Sequence, residues 1–147
     1  MYDLYGFDEF EKKLIKAMNN FPQRKNTLLN RLGRIYQREV IKLTPVDTGR
    51  LRADLKVHRL DGDSVTVATN VEYAKFVNDG HMQDERYLPC RIGSDGRLIY
   101  DPNSPTGVML KRKFVKGVKF FEKGLYKAKP KLEAEIHKFM DDLKDIL

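Results

Sequence analysis

The residue types of a cysteine nucleophile site occur within one short stretch, at Asn78, His81 and Cys90. A cysteine nucleophile needs a neighbouring base and a third group that orients the base. These three residues are close in sequence, and no loop or helix signature places them in those roles. Cys90 follows Pro89, and we expect it to be an inert, half-buried thiol.

A metal site is the second possibility in this stretch. His81 has three carboxylates near it in sequence, which are Asp79, Asp84 and Glu85. Their spacing fits no established ligand pattern for zinc or calcium. Gly93 and Gly96 are not followed by a helix or by Gly-Lys-Ser/Thr, so they do not form a phosphate-binding loop. We therefore predict no catalytic residues, no metal and no cofactor, and we expect that the protein is not an enzyme.

Basic side chains form a more suggestive pattern. Arg24, Arg31, Arg34, Arg38 and Lys42 are separated by seven, three, four and four residues. On a helix, this spacing returns each side chain to nearly the same angle. Such a stripe is often only a solvated face; the alternative is a face that contacts DNA or an acidic partner. The formal net charge of +7 raises the odds of a polyanionic neighbour.

The bulk composition predicts one globular domain over residues 1–147. Apolar residues make up 41% of the chain and charged residues 33%, which is typical of a protein that buries a single core. The first ten residues lack the basic and then apolar pattern of a signal peptide. No apolar run approaches the roughly 20 residues that span a bilayer, so we expect no membrane partner. One cysteine excludes an internal disulfide and suits a reducing cytosol.

Three amphipathic segments predict helices. The first begins near Asp8 and ends at Phe21-Pro22, and its apolar face could cover the domain's own sheet or dock on a neighbouring subunit. Its apolar positions are Phe7, Phe10, Leu14, Met18 and Phe21. The second runs from Arg24 to Leu43. The third runs from Lys119 to the end in one apolar phase through Pro130, which predicts a kinked helix or two nearly collinear helices packed on the second.

The stretch after the second helix carries strong turn signals. Thr44-Pro45 should end that helix, because proline cannot continue it. Side-chain oxygens then stand where they can cap a new turn. The residues that we expect to fix this turn are Asp47, Thr48, Gly49 and Arg50. Arg50 could also contact another subunit.

A β-hairpin and a short helix should follow the turn. Residues 55–60 and 64–69 both alternate with period 2 around Asp61-Gly62-Asp63. Asn70 then caps a helix over residues 71–79, which Gly80 ends. Tyr73 and Phe76 on this helix belong either to the core or to a subunit contact, where aromatic side chains contribute strongly.

Residues 82–107 form an irregular arm that is rich in proline and glycine. Residues 91–93 and 97–100 flank Ser94-Asp95-Gly96 and predict a second, smaller hairpin. Such an arm is either an interaction arm or a loop that orders only in an assembly. Residues 108–115 predict a further strand, whose Lys111-Arg112-Lys113 run either protects a sheet edge or contacts phosphate.

Three blocks of this sequence, in order, resemble the tail-component family of tailed phages, the tail-completion or neck proteins of the head–tail junction. The blocks are Thr-Pro-Val-Asp-Thr-Gly-Arg-Leu-Arg at 44–52, Asn-Val-Glu-Tyr-Ala-Lys-Phe-Val at 70–77 and Phe-Val-Lys-Gly-Val-Lys-Phe-Phe-Glu-Lys-Gly-Leu at 114–125. The resemblance runs from about Leu28 to the end and is weakest at the arm. It implies a small α+β subunit of a ring through which DNA passes, with no enzymatic activity.

The resulting prediction is an α+β fold with two N-terminal helices, an antiparallel sheet of about four strands, a short middle helix and a long C-terminal helix. We expect a ring-forming tail-completion subunit of a tailed phage or prophage, found in the virion and assembled in the host cytoplasm. Expected partners are copies of itself (six by resemblance), other neck, connector, tail-tube or terminator proteins, and duplex DNA that passes the basic stripe without sequence readout. Two alternatives stay open: the cap of a contractile tail-like particle that carries no genome, and a small basic nucleic-acid-binding protein.

Overall fold

The computed structural model describes residues 5–60 and 62–146, which form two compact units. The first unit combines the chain up to residue 74 with the chain from residue 119, and the second covers residues 75–118. The elements are α1 (Tyr5–Leu43), α2 (Arg50–Asp54), β1 (Lys56–Leu60), β2 (Ser64–Ala68), α3 (Ala74–Asp79), β3 (Gly80–Gln83), β4 (Arg86–Ile92), β5 (Leu98–Tyr100), β6 (Gly107–Leu110), β7 (Lys113–Lys116) and α4 (Phe120–Ile146). This mixture of helices and small antiparallel sheets confirms the α+β class.

Helices α1 and α4 pack against each other as an antiparallel pair, which we call the helical hairpin. Near one end Gly124 lies against Val40, and further along the rings of Phe21 and Phe139 lie 6.2 Å apart. The predicted break at Phe21-Pro22 is absent: α1 is one helix of 39 residues with Pro22 inside it. The apolar positions keep one phase on both sides of Pro22, so packing against α4 offsets the lost hydrogen bond. Likewise α4 continues through Pro130 as one helix of 27 residues, so of the two predicted outcomes the structure has the single helix rather than two collinear helices.

The predicted hairpin after the turn is confirmed as β1 and β2, which pair antiparallel with Val57 opposite Val67. It packs on α1 at Gly33, where an added Cβ would lie 2.6 Å from Val57 and 2.7 Å from Val65. Its turn end reaches α1 through an ion pair between Lys25 and Asp63. Asp61 of the predicted turn and the side chain of Phe7 lie outside the described residues. The fully buried residues of this unit are Val40, Thr44, Leu55, Phe120 and Ala128.

The strands of the second unit form two small sheets. One pairs β3 with β7, and the other has the order β5-β4-β6. With β1–β2, the described residues therefore hold seven strands in three sheets, where the sequence suggested one sheet of about four. The segment 108–115 contributes two strands, β6 and β7, because the exposed Lys111-Arg112 pair separates them. The smaller hairpin is confirmed, with Ile92 opposite Leu98 and a left-handed Gly96 (φ 80°) in its turn.

The short middle helix is shorter than predicted. It begins at Ala74, and Asn70 does not cap it. Instead the carboxylate of Asp54 accepts hydrogen bonds from the Asn70 backbone N–H (2.6 Å) and the Thr69 hydroxyl (2.7 Å). These bonds hold residues 69–70 in a turn and delay the helix. Gly80, with φ 85°, ends it as predicted.

Candidate nucleic-acid interface

The basic stripe on α1 lies on a side of the helical hairpin that its packing leaves open. Helix α1 contacts α4 and both strands of the β1–β2 hairpin. Two ion pairs fix the rotation of α4 against α1: Arg31 Nη1 to Glu135 Oε2 at 3.0 Å, and Lys131 Nζ to Glu39 Oε1 at 2.7 Å. Since helix positions advance by 100° per residue, the remaining side of α1 presents the stripe.

The five predicted stripe residues differ in how their charge is compensated. Arg34 and Arg38 are exposed, and within residues 5–60 and 62–146 neither makes an ion pair. Arg24 is half-buried and also makes no ion pair in that part of the chain. Arg31 bonds Glu135, and Lys42 bonds Glu39 at 3.0 Å. Arg34 and Arg38 therefore offer the most available positive charge.

Glu39 is a structural carboxylate behind the stripe. Its side chain is 8% exposed and accepts hydrogen bonds from Lys131 of α4 and Lys42 of α1. The bond from Lys131, followed by that from Lys42, lowers the pKa of Glu39 below its ordinary value. Glu39 therefore stays ionised at neutral pH and ties the two helices together.

Two open depressions mark this side of the hairpin. One of about 300 Å³ is lined by Arg24, Arg31 and, from α4, Lys138, among others. The other, of about 400 Å³, is lined mainly by Arg31, Arg34 and Arg38. Sequence reasoning missed Lys138, although Lys127, Lys131 and Lys138 are spaced by four and seven residues and so share one side of α4.

The stripe has the length and chemistry for contact with a nucleic-acid backbone. From Arg24 to Lys42 the helix rises about 27 Å, close to the length of eight base-pair steps. Guanidinium and ammonium groups bind phosphate without reading base sequence. In the described part of the chain, no aromatic side chain is interleaved with these residues to stack on bases.

The predicted turn after α1 is held partly by residues that the sequence did not single out. Gly49 has φ 82°, and the Thr48 hydroxyl accepts a 3.4 Å hydrogen bond from the Arg50 N–H. The stronger contact comes from Arg52, whose Nε donates to the carbonyl of buried Thr44 at 2.8 Å. An arginine two positions after a turn is a weak sequence signal, because its acceptor is a backbone carbonyl.

Asp47 and Arg50 have exposed side chains that make no polar side-chain contact among the described residues. They remain available to another molecule. Tyr73 and Phe76 are also exposed, at 40% and 55%. The core interpretation of these two aromatics is therefore wrong, and Val71 and Ala74 are the buried apolar residues of that segment.

Cys90 is buried, at 3% exposure, rather than half-buried. Its carbonyl oxygen accepts hydrogen bonds from the hydroxyls of Ser104 (2.9 Å) and Thr106 (3.2 Å), which fasten the turn before β6 to β4. His81 is exposed and meets the edge of Phe76 at 6.0 Å. Over residues 5–60 and 62–146, no group of three His, Cys, Asp or Glu side chains could hold a metal ion. In those same residues no helix combines the length and apolarity needed to cross a membrane.

Comparisons with known proteins give consistent matches. The family model described as "Bacteriophage HK97-gp10, putative tail-component" matches residues 8–80, which include the first two resemblance blocks but not the third. The phage-like element PBSX protein XkdI of Bacillus subtilis (strain 168) is 36% identical over 102 residues, a match that covers 62% of this chain and only 63% of that relative. The uncharacterized protein YqbI of the same organism is 32% identical over 143 residues, covering 82% of this chain and 84% of that relative. No solved structure matches the chain.

Proposed function

The chain belongs to the HK97-gp10-like family of bacteriophage tail components, and on that basis we propose that it is a ring-forming tail-completion subunit at the head–tail junction. Copies of the chain close a ring, with six as the expected number. The ring joins neck or connector proteins on one side and tail-tube or terminator proteins on the other. The helical hairpin presents its basic side to the duplex DNA that passes through.

The observation that carries the DNA-facing part of this proposal is the pair Arg34 and Arg38. The two guanidinium groups lie one helical turn apart, are exposed, and have no ion pair within the described residues. A passage for a genome of any sequence needs contacts to phosphate that carry no base information. Such contacts weaken steeply with salt, and because they are the same for every base sequence they let DNA slide.

The test reverses charge at these two positions in the phage or prophage that encodes the chain. Arg34→Glu with Arg38→Glu should leave the melting temperature of the purified protein nearly unchanged, because neither side chain has a partner in the described structure. The same variant should lower the yield of completed, infectious particles. The matched control is Lys56→Glu with Lys129→Glu, which makes the same charge change at exposed residues away from the stripe. Normal infectious yield from the arginine variant would remove the DNA-facing assignment.

The genome-free alternative is favoured by one observation, the similarity to a protein named for a phage-like element. In a tail-like particle without a genome, the arginine variant would complete particles as well as the control does. The other alternative, a free-standing nucleic-acid-binding protein, is distinguished by its complex with DNA. Such a protein would form a defined complex with DNA as a small oligomer, whereas a ring subunit binds DNA weakly and assembles with tail or neck proteins.

A further inference from the structure

One side of the helical hairpin is covered over only half its length. Ile15 lies eighteen residues, five full turns, before Gly33, so both point in the same direction from α1. At Gly33 that direction is occupied by Val57 and Val65 of the β1–β2 hairpin. The turn end of the β1–β2 hairpin reaches α1 only as far as Lys25 and Asn26. Over residues 8–22 of α1, every residue except half-buried Ala17 is exposed.

We call the exposed apolar surface that begins on this part of α1 and continues along the adjoining side of α4 the open groove. The rotation fixed by the Arg31–Glu135 and Lys131–Glu39 pairs places part of the α4 surface on the side to which Ile15 points. The open groove consists of Leu14, Ile15, Met18, Ile136 and Met140, with exposed fractions of 37%, 50%, 66%, 42% and 49%. Exposed large apolar side chains grouped in this way mark an interaction site on a soluble protein. Its two methionines can adapt their shape to a partner.

The second unit carries a different apolar surface, at the tip of the β5-β4-β6 sheet. Cys90 lies opposite Tyr100 and Ile92 lies opposite Leu98, so these four side chains share one face. Cys90 is buried, but Ile92, Leu98 and Tyr100 are exposed at 73%, 55% and 64%. We call these three exposed residues the sheet tip. The charges next to it pair among themselves, Arg91 with Asp101 and Arg97 with Asp95, so they do not oppose an apolar partner.

We propose that the sheet tip of one copy docks in the open groove of the next copy, which rests on the proposed ring function. Two unlike apolar surfaces on one chain make a head-to-tail contact, and such contacts close into rings when the rotation allows. The other half of the same helical side already carries a two-stranded β layer, so a second β layer continues an arrangement that the fold uses. Tyr100 supplies an aromatic anchor of the kind that dominates binding energy.

The exposed area of the two surfaces, if all of it is buried, is of the size that a stable contact needs. At roughly 200 Å² per large side chain, the exposed fractions of the open groove and the sheet tip amount to about 900 Å². Interfaces are about 60% apolar, so this corresponds to about 1,500 Å² in total. Stable protein interfaces bury about 1,200–2,000 Å².

The test uses two single variants and their mixture. Met18→Glu spoils the open groove, and Ile92→Glu spoils the sheet tip; both residues are exposed, so neither variant should unfold. Wild-type chain should self-associate in sedimentation analysis, and each variant alone should be monomeric. An equimolar mixture should form heterodimers and nothing larger, because the intact sheet tip of the Met18→Glu chain fits the intact groove of the Ile92→Glu chain. Tyr126→Glu, at an 81% exposed residue outside both surfaces, should associate as wild type.

Each other outcome overturns the proposal. A single variant that still associates shows a different contact between copies, and a mixture that stays monomeric excludes the head-to-tail pairing. A wild-type chain that is monomeric at every concentration excludes docking of the sheet tip between copies. Failure of the docking proposal can be distinguished from failure of the proposed ring function. If the mixture forms heterodimers but both variants complete particles normally in the phage, then the docking stands and the ring function fails.

Discussion

The contact between Gly124 of α4 and Val40 of α1 can be tested by the sign of a stability change. In a helix interior, alanine is ordinarily about 1 kcal/mol more favourable than glycine. A Cβ at Gly124 would lie 2.7 Å from Val40 Cγ2 and 3.1 Å from the Val40 backbone N and Cα. Carbon atoms pack best at about 3.5–4.0 Å. Because two of the three neighbouring atoms are backbone, the helices must separate to admit the methyl group.

Overpacking of this kind costs about 1–3 kcal/mol. Set against a helix gain of about 1 kcal/mol, Gly124→Ala should lower the free energy of unfolding by about 1 kcal/mol. Gly124→Val should lower it by about 3 kcal/mol, since its two further methyl groups meet the same backbone. The assay is urea unfolding followed by circular dichroism, with the free energy extrapolated to water.

Two controls isolate the contact. Ala134→Gly, at an exposed position of the same helix, should cost about 1 kcal/mol and calibrates the helix term. Val40→Ala should cost less in the Gly124→Ala background than in wild type, because it removes the side-chain part of the clash. If Gly124→Ala is more stable than wild type by the amount that the Ala134 control measures, the close approach of the two helices is refuted.

Three further variants test single contacts. Glu39→Gln should lower the melting temperature at neutral pH. The difference from wild type should shrink below about pH 4.5, because a carboxylate whose pKa is lowered by folding loses its contribution to stability as it is protonated. A difference that stays constant with pH would contradict this. Gly49→Ala should cost about 1–2 kcal/mol in urea unfolding, because φ is 82° and no atom lies within 4 Å to explain a clash. Gly62→Ala, equally open and without a positive φ, should change little, and equal losses at both glycines would exclude backbone strain. Arg52→Ala should cost about 1.5–3 kcal/mol, because the carbonyl of buried Thr44 loses a charged donor; an unchanged midpoint would mean that water replaces the bond.

The sequence predicted the elements whose signal is local. The β1–β2 hairpin, the 93–97 turn and the end of α1 just before Thr44 follow from alternation, glycine and proline within a few residues. The predicted helix end at Pro22 was wrong, because the effect of proline is local whereas the packing of α1 on α4, which is not local, keeps the helix continuous. Asn70 misled for the same reason, since Asp54, sixteen residues earlier, takes over the polar contact.

The sequence predicted where the candidate site lies, but not which of its charged side chains are already in ion pairs. Helical spacing was enough to place Arg31, Arg34 and Arg38 on one stripe. The partner of Arg31 is Glu135, 104 residues away, and no spacing rule relates the two. Only the packed hairpin separates an arginine that is already paired from those still available to phosphate.

The helical hairpin resolves a conflict between the two roles proposed for it. Arg34 and Arg38 lie on the side that is open to solvent, whereas Ile15 and Met18 point toward the side of the β1–β2 hairpin. A ring subunit must contact DNA and its neighbours at once, and a single mixed surface would bring phosphate against buried apolar groups at a desolvation cost. Because the ion pairs at Glu39 and Glu135 set the rotation of α4, they keep Lys138 on the basic side and Ile136 on the apolar side. The same few contacts that stabilise the hairpin therefore also keep its two surfaces apart.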